Sequence, residues 1–197
     1  MNRRSVLGAG ALALGIACVT AGTVVAGQFG GSPDPLAMQQ AIESAPMVQV
    51  ASIGATSDEP SRGVFVQLTA NGYVCVWDAP SARSAQRQGG CNRADDPLGG
   101  EVVSASLAYD GGPGIDSVDD ARLSGLASSQ AASLRVEMTD GSFQAVKLKK
   151  AKVGSDNFQA FGYRFKKADL RKGIGPIAIV AYDAVGNEIG RQPTGIG

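Results

Sequence analysis

After Gly63, apolar and polar residues alternate at period two in short segments separated by Gly, Asn, Asp and Pro, the pattern of half-buried strands. GVFVQLT and YVCVWDA flank ANG, where Asn71 and Gly72 tolerate positive φ, so the three together predict a hairpin. In the second segment Tyr73, Cys75 and Trp77 share one face, and Val74 and Val76 share the other. Neither face is polar, which predicts a central strand covered on both sides. VVSASLAYD and ARLSGLA flank a Gly-rich acidic loop. SLRVEMT and SFQAVKLKKAKV meet at Asp140-Gly141, among the strongest two-residue hairpin signals. FQAFGYRF follows, and PIAIVAYDA turns through VGN into EIGR. With MVQVASIG as a first strand, about nine or ten short strands with almost no helix between them predict an all-β antiparallel sandwich or barrel, against a parallel α/β fold.

The pattern differs before that point. Residues 27–60 read as a tether holding one short helix, with Asp34 as N-cap, Pro35 at the first helical position and good helix formers up to Pro46. Ahead of the tether, Arg3 and Arg4 precede an uncharged run from Val6 to Ala26, the layout of an export signal. A run of about 20 apolar residues also suffices to span a bilayer, so residues 1–26 are a cleaved signal or a retained anchor. The small residues at Val24-Val25-Ala26 and the richness in Gly and Ala favour cleavage after Ala26. NRRSVL resembles the twin-arginine signal, which implies export of an already folded protein; it departs at Asn2 and Gly8. A general secretory signal that happens to hold two arginines is the alternative. Residues 61–197 are then the β domain.

Export changes the meaning of the cysteines. Cys18 lies inside the apolar run, and with Gly15 three residues before it the lipidation motif is poor. Cys75 and Cys91 remain, an even pair in an oxidising compartment, and they predict a disulfide. Zinc would need more ligands, and the chain holds no histidine and no C-x-x-C spacing.

The absence of histidine also removes the Ser-His-Asp triad, the Cys-His pair and histidine-ligated metals. No catalytic residue, metal or cofactor is therefore assigned. The chain has 18 basic and 18 acidic residues, and removing Arg3 and Arg4 leaves a slight acidic excess, which speaks against nucleic acid as a partner. Membrane contact is expected only through the N-terminal segment, where that segment is retained. Paired carboxylates stay open as an alternative: Glu101, Glu137 and Glu188 would supply a hydrolase acting on envelope glycans.

Three further features have a functional and a structural reading. Asp110, Asp116, Asp119 and Asp120 crowd one loop, as calcium ligands do, but the spacing matches no EF-hand and Asp is an ordinary turn residue. Phe161, Tyr163 and Phe165 form a stripe suited to a sugar platform; with 6% aromatic residues in the chain, core packing is the better assignment. Lys147 and Lys149 would dock anionic polymers or protect an edge strand, and edge protection is favoured.

VAYDAVGNEIGR resembles the closing hairpin of bacterial immunoglobulin-like and fibronectin-like modules. The longer reach from GYVCVWDA through GGC to this ending is similar to uncharacterised exported proteins of high-GC Gram-positive bacteria. The resemblance implies an immunoglobulin-like β-sandwich in an extracellular or cell-envelope location. The expectation is a non-catalytic binding or structural role, with an envelope polymer or a surface protein as partner.

Overall fold

The computed structural model describes residues 34–112 and 114–194. Arg3, Arg4, Cys18, Ala26 and the rest of the signal or anchor lie outside the described residues. No described helix is long and apolar enough to cross a membrane.

The described residues form three antiparallel sheets of four strands each. Sheet I is a meander of β1 (Met47–Ile53), β2 (Arg62–Leu68), β3 (Tyr73–Ala79) and β4 (Gln88–Arg93), paired in that order. Two hairpins make sheet II: β5 (Val103–Gly111) with β6 (Val118–Ser128), and β9 (Leu148–Val153) with β10 (Asp156–Arg164). Sheet III holds the intervening hairpin, β7 (Ser133–Met138) with β8 (Phe143–Val146), and the last one, β11 (Pro176–Tyr182) with β12 (Glu188–Pro193). The resulting orders are β5-β6-β10-β9 and β12-β11-β7-β8. The fold is all-β, as the alternation predicts.

Sheet II lies between the other two. Strand β6 is buried from Asp120 to Ala127, because its alternate side chains enter two different interfaces. Ala121, Leu123 and Ala127 join Phe161, Phe165, Val136 and Ile179 in a core between sheets II and III. Leu126 joins Ile53, Val64, Val74 and Phe158 in a second core between sheets I and II. Gly162 permits the close approach there: a Cβ would stand 2.7 Å from Ile53 and 2.8 Å from Val64.

The outer face of sheet I is covered by helix α1 (Pro35–Ser44). Asp34 caps it as expected, its Oδ1 accepting the Leu36 N–H at 3.0 Å. Ile42 packs with Phe65, Trp77 and the cysteines. Buried Gln67 fastens the helix: its Nε2 donates to the Ile42 and Ala45 carbonyls, and its Oε1 accepts the Trp77 indole N–H at 3.0 Å. Strand β3 thus has both faces covered, as its sequence predicts.

Twelve strands replace the nine or ten expected. Strand β4 lies in a polar stretch with no apolar alternation; pairing with β3 and the Cys75–Cys91 link hold it in the sheet. SFQAVKLKKAKV is two strands, because the chain leaves sheet III at Lys147 and enters sheet II. A short helix, α2 (Lys167–Leu170), buries Leu170 beneath the β10–β11 connection.

Candidate functional site

Three arginines and two aspartates meet inside the interface between sheets I and II, with a third aspartate, Asp110, reaching in from the exposed rim. Asp78 of β3 accepts from Arg62 Nε at 2.5 Å and from Arg122 Nε at 2.7 Å. Arg122 Nη1 also donates to Asp120 and, at 2.8 Å, to Asp110, while its Nη2 reaches Gln88 at 3.2 Å. Asp120 holds Arg164 Nε at 3.0 Å, and Arg164 Nη1 donates to the Gly54, Glu59 and Pro60 carbonyls. Asp78, Asp120 and Arg122 are each at most 3% exposed at the side chain, so the charges must neutralise one another. Burial alone would lower the Arg122 guanidinium, but its hydrogen bonds to Asp78, Asp110 and Asp120 outweigh burial and hold it above the ordinary arginine range. The cluster is a structural clamp across two sheets: every carboxylate in it is occupied by a guanidinium.

Beside this cluster the two sheets part along β4 and β5, leaving a cleft of about 670 Å³. Its walls are built from small residues. Gly90 of β4 faces Ser104, Ser106 and Ala108 of β5, with Val74, Val76 and Ser124 beneath. Gly89 and Gly125 have no room for a side chain, since a Cβ would lie 1.9 Å from the Val76 carbonyl oxygen and 2.2 Å from that of Ser104. Asn92 closes one end by donating to Ser104 Oγ at 3.1 Å and to the Pro97 carbonyl at 3.0 Å. Gln88 stands at the other end, against Arg122. No Asp, Glu, Lys or Arg lines the cleft among the described residues.

Cys75 and Cys91 form a disulfide between directly opposed residues of β3 and β4, on the face under α1. It fixes the outer wall of the cleft and has no free thiol to contribute. The three candidate glutamates do not form a catalytic pair. Glu137 and Glu188 meet only across Arg191, whose Nε lies 3.0 Å from Glu188 and whose Nη1 pairs with Glu137. The Arg191 hydrogen bond holds the Glu188 carboxyl below its usual range, the wrong direction for a general acid. Glu101 is exposed in the loop before β5.

The acidic loop is divided among partners. Asp120 belongs to the buried cluster, Asp110 joins it from an exposed position through Arg122, and Asp119 pairs with Lys167 at 3.1 Å and with Arg171. Those two cations depress the Asp119 carboxyl. Asp116 stays exposed, and no metal-ligating group of side chains occurs among the described residues. Phe161, Tyr163 and Phe165 lie in the core between sheets II and III, where burial raises the Tyr163 hydroxyl. Lys149 sits on edge strand β9, and Lys147 sits where the chain changes sheets.

The cleft and the ion cluster are not visible from spacing, since each draws its residues from five strands. A signal was nonetheless present in β3, where Asp78 follows the apolar run from Tyr73 to Trp77. No protein-family model, no curated protein and no solved structure matches the chain.

Proposed function

We propose that the chain is an exported cell-envelope protein that binds without catalysing, and that the cleft between β4 and β5 is its binding site. The cleft carries this reading. It is concave, rimmed by two sheet edges and lined by hydroxyls, carboxamides and small apolar groups, with no pair of titratable side chains converging in it. A carboxylate hydrolase has less support, because Glu137 and Glu188 are engaged with Arg191 on another sheet. The disulfide is compatible with an oxidising compartment, which favours export.

The same reading assigns sheets II and III to an immunoglobulin-like sandwich. Their orders, β5-β6-β10-β9 and β12-β11-β7-β8, correspond to ABED and to GFC with one added C′ strand. Strands β11 and β12 would then be F and G, in agreement with the resemblance of their hairpin. Asp183 organises that turn by accepting the Val185 and Asn187 N–H groups at 3.0 and 2.8 Å. Sheet I is a third layer added to the sandwich.

Co-sedimentation with isolated envelope material tests the assignment. Ser106→Trp would fill the cleft, and binding should fall at least about tenfold while the circular dichroism spectrum stays that of a β protein. Unchanged binding would exclude the cleft. Turnover of envelope glycans or peptides abolished by Gln at Glu101, Glu137 or Glu188 would overturn the non-catalytic reading.

A further inference from the structure

The three sheets end on common sides. One side presents β1, β9 and β8; the other presents β4, β5 and β12. On the first side β9 carries Lys149, Lys150 and Lys152, charges that discourage a further strand from pairing. On the second side β5 has no charged residue from Val103 to Tyr109.

The β5 main chain shows how its outer edge can be used. Ala105 donates its N–H to Gln192 Oε1 at 2.8 Å and accepts from Gln192 Nε2 at 3.2 Å. A carboxamide, the chemical group of the peptide bond, is thus seated on the edge as a donor and acceptor together. Because Ala105 turns both main-chain groups away from β6, ladder alternation turns those of Leu107 and Tyr109 the same way. Among the described residues, no hydrogen bond outside the β5–β6 ladder reaches either of them. At the same edge Thr194, a cleft residue, has a buried hydroxyl without a partner.

We infer that the β5 edge, from Ala105 to Tyr109, takes an extended segment of a partner protein as an added strand, with uncharged side chains turned toward the cleft. The inference rests on the cleft being the binding site and names its ligand class. Main-chain pairing with Leu107 and Tyr109 supplies affinity, and the uncharged Ser and Gly walls set which side chains are accepted. A charged side chain there would lose water without meeting a partner.

The test is selection of a phage-displayed random linear dodecapeptide library on the full chain, with soluble chitin oligomers and peptidoglycan fragments as separate arms. Enriched peptides should avoid charge at alternate positions. They should slow hydrogen exchange at the Leu107 and Tyr109 amides, and bind Tyr109→Pro at least tenfold more weakly. Ser106→Arg, which leaves the main chain intact, should weaken them similarly should the proline variant misfold. Lys149→Ala on the opposite edge should bind as the parent does, and Gln192→Ala should bind several-fold tighter because the internal competitor is gone. The inference falls if no peptide is enriched, if enriched peptides bind all variants alike, or if the Leu107 and Tyr109 amides of the free protein are protected until residues 195–197 are deleted. Glycan binding that Ser106→Arg abolishes would refute the peptide ligand and leave the cleft in place as the site; glycan binding that ignores Ser106→Arg would refute both.

Discussion

Strand β6 faces two interfaces, and they are built from different chemistry. Toward sheet III it presents Ala121, Leu123 and Ala127 to an apolar core. Toward sheet I it presents Asp120, Arg122, Ser124 and Leu126, of which only Leu126 belongs to an apolar cluster. The first interface depends on burial of hydrocarbon, which is non-directional and tolerant of small shifts. The second adds to its own apolar core around Leu126 an Arg–carboxylate geometry, which is directional and not tolerant. Ionic contacts leave gaps that apolar packing closes, and the cleft lies where the small residues of β4 and β5 leave the second interface unfilled. Both sides of β6 thus hold sheets together, and the side facing sheet I also gives access.

The largest effect is expected from breaking the ionic side. Asp78→Ala leaves Arg62 and Arg122 buried beside an absent partner, and should cost about 3–5 kcal/mol in urea denaturation. Asp78→Leu combined with Arg122→Met should lose less than Asp78→Leu alone. A double variant that is additive would mean the clamp is not a coupled unit. On the apolar side, Leu123→Ala should cost about 3 kcal/mol, within the range for buried leucines, and the loss should not change with ionic strength.

Replacing Cys75 and Cys91 by Ser should cost on the order of 3 kcal/mol. It should also sharpen the contrast locally: amide exchange should rise in β4 and β5 and stay unchanged in β7 and β11. Uniform acceleration would show that the disulfide supports the whole domain and not the cleft wall.

The smallest effect concerns pH. Asp119, Asp183 and Glu188 have carboxyls held below their ordinary values, by Lys167 and Arg171, by the Asn187 main chain and by Arg191 respectively. A depressed folded-state value means stability that is present above the unfolded carboxylate range and lost as pH falls through the folded one. The chain has no histidine. Thermal unfolding midpoints should therefore be flat from about pH 5 to 8 and should fall below about pH 4. A step near pH 6.5 would contradict this.

The sequence disclosed what depends on neighbours along the chain. The β2–β3 hairpin, both faces of β3, the Asp140-Gly141 turn and the Asp34 cap all follow from local spacing. Strand β4 was hidden because Gln88, Gly89 and Gly90 have no apolar rhythm, and cross-strand pairing holds them in place. The sheet change at Lys147 was hidden because alternation continues through it. The ion cluster was hidden for another reason. An isolated Arg or Asp in a strand reads as an outward residue until a second sheet covers it, and that layer cannot be inferred from period two alone.

The sheets also differ in how the chain is threaded. Sheet I is a contiguous meander ending at Arg93, whereas sheets II and III exchange hairpins three times between Val103 and Pro193. Mechanical load applied through residue 34 would pass into α1, reach the Gln67 fastening, and then meet β1, an edge strand that peels one ladder bond at a time. Sheets II and III behind it are not open to peeling from that end, because their first strand, β5, is followed by strands that pass back and forth between both sheets. Pulled from its N-terminal side, the described chain should act as a fuse in series with a block: sheet I is expected to give way first and lengthen the molecule while β5 to β12 stay folded.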